Sequence, residues 1–250
     1  MKKIVHCDLP GEYHENAFAD EPMVIIGPGD RILVEMQYPI LKMKNAVSTC
    51  YMREEAAKRL IRASKLLPGG LKLKIWDAWR PFSLQEELYI KYRKEIISSL
   101  HLDEKDPATE KIVRGFVSLP NDDPEDPPVH TTGGAVDLTL CDENGRDLDM
   151  GTCFDSFTET TRIDYFEKNE KTEAGRDLKT GTDLKTGTDL TEKKVCEIRE
   201  NRRILYQVMT DSGFTNLPSE WWHYDYGDKF WGYYNKMKTL YKGVFREDLL

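Results

Sequence analysis

Five histidines occur in the chain, and two of them stand near carboxylates in settings that suit a metal ion. His130 and Asp137 lie seven residues apart across Gly133-Gly134, and His223 closes the run Glu220-Trp221-Trp222-His223. On a straight strand, residues seven apart point to opposite faces. A glycine bend between them lets His130 and Asp137 reach one point. Asp137 also faces away from the apolar row of Val136, Leu138 and Leu140. A carboxylate on a central strand needs a partner, and a cation is an effective one. Two imidazoles and one carboxylate are a common donor set for catalytic zinc, with the fourth position left to water. Zinc lowers the pKa of that water to about 7, and a nearby carboxylate can take its proton as it attacks a carbonyl. Glu220 suits that role if Pro218-Ser219 turns the chain ahead of the strand, because residues three apart on a strand face opposite ways.

Each residue alone also has a structural reading. His130 could be an ordinary histidine beside a proline-rich loop, and Asp137 could pair with a lysine. Glu220 and His223 could be polar groups rimming Trp221 and Trp222. Arg80, in Trp79-Arg80-Pro81, could be a structural arginine stacked between aromatics.

The elements that must position these residues show in the apolar periodicity. Residues 1–45 read as loops and short strands around Met23–Ile26 and Ile32–Val34. From about Cys50 to Leu67 the pattern is helical, with Ala56, Ala57, Leu60, Ala63 and Leu67 on one side and Pro68-Gly69-Gly70 as the stop. Leu71 to Ile75 alternates apolar and charged residues, as a half-buried strand does. Ser83-x-x-Glu86 reads as a capping box that opens a helix to about Leu100, with Leu84, Leu88, Tyr92, Ile96 and Leu100 on one side. Residues 103–128 read as a long loop, and Ala135–Leu140 as a strand. A helix is expected from about Glu192 to Ser212, striped by Val195, Ile198, Leu205 and Met209 and stopped by Gly213. Trp221–Tyr226 reads as an aromatic strand. Mixed strands and segregated helices make the expected class α+β, one domain over residues 1–250 with an antiparallel central sheet. A hexapeptide, Asp-Leu-Lys-Thr-Gly-Thr, occurs twice over residues 177–188 and begins again at Asp189; residues 177–191 read as a surface loop insertion.

Composition narrows the partners. With 36 Lys+Arg against 44 Asp+Glu, the net charge is -8, which offers no general attraction to nucleic acid or an anionic membrane surface. The hydrophobic fraction of 39% supports a real core. No apolar run approaches a membrane span, and the N-terminus lacks the apolar stretch of a secretory signal. The five cysteines form no CxxC pair, which fits a reduced, cytoplasmic protein better than a disulfide framework. Oligomeric state is left open.

Five motifs taken together resemble the D-alanyl-D-alanine dipeptidases, a family within the zinc D,D-peptidase and hedgehog-like fold. They are Trp76-Asp77-Ala78-Trp79-Arg80-Pro81, then His130-x-x-Gly133-x-Ala135-x-Asp137, then Met150-Gly151-Thr152-x-Phe154-Asp155, then Ser212-Gly213-Phe214, then Glu220-Trp221-Trp222-His223-Tyr224. The resemblance covers about residues 46–226. It implies one zinc per chain held by His130, Asp137 and His223, Glu220 as catalytic base and Arg80 as the transition-state-stabilising cation. It also implies that Asp155 pairs with the free amino group of a short substrate, so that D-alanyl-D-alanine or a similar dipeptide is favoured over longer chains. A D,D- or L,D-carboxypeptidase acting on cell-wall peptides would share the zinc set but need an open groove. A non-catalytic zinc-binding domain would need neither Glu220 nor Arg80. The position two before the first histidine is usually serine in the family; here it is Pro128, followed by Val129. The residues before that histidine help to shape the substrate pocket, so the resemblance does not carry recognition of the substrate's carboxyl end; residues 1–45 match the family's N-terminal segment poorly, so it does not carry the exact substrate either.

Overall fold

A computed structural model describes residues 1–156, 158–170, 191–245 and 249. Its architecture is α+β, as expected. A five-stranded sheet forms the centre, with strands β2 (Ile32–Val34), β4 (Lys72–Asp77), β5 (Val136–Cys141), β7 (His223–Asp225) and β6 (Thr215–Asn216) in that spatial order. Pairing is antiparallel except at one edge, where β2 runs parallel to β4, so the expectation of an antiparallel sheet is corrected there. β5 is the middle strand, and all six of its residues are buried, as a strand covered on both faces requires.

The main core packs helices α2 (Glu54–Leu66) and α5 (Glu192–Asp211) against the sheet. Ala56, Ala57, Leu60 and Ala63 of α2 and Val195, Ile198, Leu205 and Met209 of α5 are buried, which follows the periodicity read from the sequence. Gly213 ends α5 as expected, with the Phe214 N–H donating back to the Met209 carbonyl. Arg202, almost fully buried on α5, donates to the carbonyls of Met150, Thr160 and Arg162 and so fixes the 150–162 segment that carries Asp155. A second cluster joins Leu84, Leu88, Tyr92 and Ile96 of α3 (Phe82–Ser99) to Tyr38 of the short helix α1 (Gln37–Ile40) and Val113 of α4 (Pro107–Val113).

Five local expectations are corrected. Cys50–Arg53 is not helical but forms β3, paired antiparallel with β1 (Met23–Ile26); Arg53, held by the carbonyls of Thr132, Glu21 and Lys242, pins that pair to the rest of the fold. The Ser83/Glu86 capping box does not form. The helix starts two residues earlier, with Pro81 in place of Ser83 at the N-cap; the Pro81 carbonyl already accepts from Leu84 and Gln85, and no side chain caps it. The 103–128 loop contains α4, capped by Asp106, whose side chain accepts from the Ala108 N–H. Leu100 terminates α3 and is exposed, because the chain turns away from the cluster there. Trp221 and Trp222 lie on the turn before β7, so the strand is only His223–Asp225. The hexapeptide repeat lies outside the described residues apart from Thr191, which caps α5.

Candidate metal centre and its pocket

Three adjacent strands build the floor of the site. The register sets Asp77 of β4 opposite Asp137 of β5, and Asp137 opposite His223 of β7, so three polar side chains form one row. His130 reaches the row from a 3-10 turn, Val129–Thr132, just before β5. Gly133 closes that turn at φ 76°, in the left-handed region, and a Cβ on Gly134 would meet the Tyr226 carbonyl oxygen at 2.3 Å. Only glycine fits both conditions, and the bend brings His130 to Asp137 as their spacing suggested.

His130, Asp137 and His223 are all buried, and one donor atom from each lies within 4.8 Å of the others. His130 Nε2 is 3.3 Å from Asp137 Oδ2, and His223 Nδ1 is 2.9 Å from Asp137 Oδ1. The two inner ring nitrogens are 3.2 Å apart. Their outer partners determine what these nitrogens can do. His130 Nδ1 lies 2.7 Å from the Ala78 carbonyl oxygen, which can only accept, so Nδ1 carries the hydrogen. His223 Nε2 lies 2.7 Å from Asp225 Oδ1, again an acceptor. In the neutral imidazoles the inner nitrogens are therefore bare lone pairs, facing each other and a carboxylate. Three buried donor atoms converge here and face one another, so a proton or a cation must sit among them for all three to be satisfied. One divalent cation at the meeting point satisfies all three, and the outer hydrogen bonds are those that orient metal-binding histidines. These residues fit a metal ion. Burial alone would push the Asp137 carboxyl up, but the facing imidazoles outweigh it and hold that group well below the usual carboxylate range.

A cavity of about 240 Å³ opens above this cluster, lined by Arg80, His130, Asp137, Asp155, Glu220 and His223. All six residues singled out in the sequence thus meet at one place. Arg80 is buried and clamped: Nε donates to Asp77 at 2.9 Å, Nη1 to Gln85 at 2.8 Å and Nη2 to the Tyr38 hydroxyl at 3.2 Å. Its Nη2 also lies 3.6 Å from Asp137 Oδ2, beside the donor set. Glu220 follows the turn at Pro218-Ser219 expected ahead of the strand, and the His223 N–H donates to its carbonyl. Burial pushes the Glu220 carboxyl up to about 8, against the pull of His223. Asp155 adopts a φ of 54° and accepts from the hydroxyls of Tyr92 at 2.6 Å and Tyr38 at 3.0 Å. Burial raises its carboxyl to about 6, although the Tyr92 hydrogen bond opposes the rise.

Some of the residues that support the site were not singled out in the sequence. Asp225 was legible in principle, because on a strand it shares the face of His223 two residues away. Asp77 and Gln85 flank Arg80 in sequence but carry no signal that they hold it. Tyr38 and Tyr92 come from two helices, and Tyr92 reads simply as part of an apolar stripe.

A profile of the D-Ala-D-Ala dipeptidase family matches residues 40–242. A D-alanyl-D-alanine dipeptidase of Synechocystis sp. is 26% identical over 196 residues, covering 74% of this chain and 73% of that protein. One of Escherichia coli is 27% identical over 177 residues, 70% of this chain and 66% of the relative. One of Enterococcus faecium is 26% identical over 175 residues, 68% and 70% respectively. With the profile covering most of its length, the chain belongs to the D-Ala-D-Ala dipeptidase family of peptidases.

Proposed function

We propose that the chain is a zinc-dependent dipeptidase that cleaves D-alanyl-D-alanine or a similar D,D-dipeptide. The observation that carries this reading is the convergence of three buried donor atoms, one each from His130, Asp137 and His223, on a small cavity that Asp155 also lines. At about 240 Å³ the cavity is smaller than the roughly 300–1,000 Å³ typical of drug-sized ligands, which favours a very short peptide. The names of the relatives support the same substrate.

His130, Asp137 and His223 hold the zinc, which when bound supplies a Lewis acid for the scissile carbonyl and for water. Asp155 pairs with the substrate ammonium, and the hydroxyls of Tyr38 and Tyr92 keep its carboxylate aimed into the cavity. Arg80, immobilised by Asp77 and Gln85, presents a fixed cation to the oxygen that gains charge. Glu220 takes the proton from the attacking water and returns it to the leaving nitrogen. Its carboxyl lines the cavity beside the donor cluster, where it can reach both the water and the leaving nitrogen. Five free thiols support a reduced, cytoplasmic setting, and no helix among the described residues is long and apolar enough to cross a membrane.

The test compares D-Ala-D-Ala with its N-acetyl derivative on zinc-loaded protein. Acetylation removes the ammonium and leaves Asp155 buried without its partner, so kcat/KM should fall by about 100-fold or more. Equal cleavage of both would favour a carboxypeptidase, and no cleavage of any D,D-dipeptide would make the chain a binding domain. The support of His223 has its own readout. Asp225→Asn should weaken zinc affinity by about 10- to 100-fold in a competition titration, because the orienting hydrogen bond loses its charged acceptor. Unchanged affinity would remove Asp225 from the centre.

A further inference from the structure

A second buried acid stands behind the donor cluster, and the proposed chemistry does not use it. His223 Nε2 donates to Asp225 Oδ1 at 2.7 Å, which leaves the other oxygen of that carboxylate unaccounted for. Asp225 Oδ2 is buried, and no N–H or O–H among the described residues reaches it. Asp228, at the start of helix α6 (Lys229–Asn235), is in the same state. Its Oδ1 caps the helix by accepting from the Phe230 and Trp231 N–H groups at 3.0 and 3.1 Å. Its Oδ2 is buried and likewise lacks a donor. Both residues are 0% exposed, so water does not supply one. The two carboxyl groups lie within hydrogen-bonding reach of each other.

An ionised carboxylate only accepts, so two of them in contact repel and leave both oxygens unsatisfied. One hydrogen between the pair removes both penalties at once, as in other buried acid pairs. The surroundings decide which acid carries it. Asp225 already accepts from the His223 ring, an interaction that is strongest when Asp225 is an anion. Burial first, and the Asp225 charge second, push the Asp228 carboxyl well above the usual range, against the pull of the Trp231 N–H and of His223.

We infer that Asp228 is a positioning residue of the metal centre, which stays un-ionised, donates its hydrogen to Asp225 Oδ2 and so holds Asp225 as the anionic partner of His223. Without that donor, Asp225 is free to turn about its own side-chain bond and lose its alignment with the ring. A ligating histidine depends on such an outer partner for its orientation and basicity. The role in metal binding rests on the proposed zinc reading, whereas the placement of the hydrogen does not.

The experiment uses the full chain as wild type, Asp228→Asn and Asp228→Ser. Asparagine copies the un-ionised acid, with a carbonyl oxygen for the α6 N–H groups and an amide to donate to Asp225. Serine can still cap the helix but is too short to reach Asp225 as well. Infrared difference spectra of metal-free wild type against Asp228→Asn, at neutral pH, should show the loss of an un-ionised carboxyl band. Other protonated acids occur in both proteins and cancel. Loss of a carboxylate band instead would overturn the inference. In a competition titration, Asp228→Asn should bind zinc about as tightly as wild type, and Asp228→Ser about 10-fold or more weakly. Wild-type affinity in the serine variant would reduce Asp228 to a helix cap. Equal weakening in both variants would show that a charged Asp228 is needed; either result overturns the positioning role and leaves the zinc reading intact. A wild type that binds no zinc would overturn both, with the infrared result still locating the hydrogen.

Discussion

Glu220→Gln is expected to retain one zinc per chain and to lose about 10²–10⁴-fold in kcat on D-Ala-D-Ala, with KM changed far less. The amide preserves the shape of the side chain but can neither accept the water proton nor hand one to the leaving nitrogen. Glu220 contributes no donor atom to the cluster of His130, Asp137 and His223, so metal content should be unaffected. The backbone is equally safe, because the local hydrogen bonds run through the Glu220 N–H to Leu217 and through its carbonyl from His223 and Asn216. Metal content by elemental analysis and steady-state kinetics on the same preparation separate the two effects. A variant with full metal and near-normal kcat would remove Glu220 from the chemistry.

His223→Ala should fail in the opposite order, losing the metal first and the activity with it. Removal of the imidazole deletes one of three donors and leaves the Asp225 carboxylate, fully buried, without the ring N–H it accepts. Asp137 also loses its 2.9 Å partner across the β5–β7 pair. The remaining His130 and Asp137 make a two-donor site, short of the three protein ligands a catalytic zinc normally has. Metal content after dialysis should fall to a small fraction of the wild-type value, and hydrolysis should fall to background. Stoichiometric retention of zinc in this variant would contradict the assignment of His223 as a ligand.

The parts of the site that were readable from sequence are those carried by short-range spacing. The Gly133-Gly134 bend explains how His130 reaches Asp137, and a three-residue approach through Pro218-Ser219 explains how Glu220 and His223 can share a cavity. The long stripes of α2, α3 and α5 were legible because a 3.6-residue period persists over several turns. Cys50–Arg53 misled because four residues cannot display a period, and their strand pairing with Met23–Ile26 is a tertiary choice. The capping box at Ser83 failed for a related reason, since Pro81 had already started the helix. Tyr38 and Tyr92 stayed hidden because nothing in either local pattern shows that two helices, 54 residues apart in the chain at these tyrosines, deliver hydroxyls to one carboxylate.

The claim on which all the rest depends is the shared cation, and anomalous diffraction at the zinc edge from crystals of the zinc-loaded protein tests it most directly. A single anomalous peak is expected, bonded to His130 Nε2, His223 Nδ1 and a carboxylate oxygen of Asp137, with Glu220 beside it and not bonded. A peak elsewhere, or none in protein that still hydrolyses the dipeptide, would contradict it.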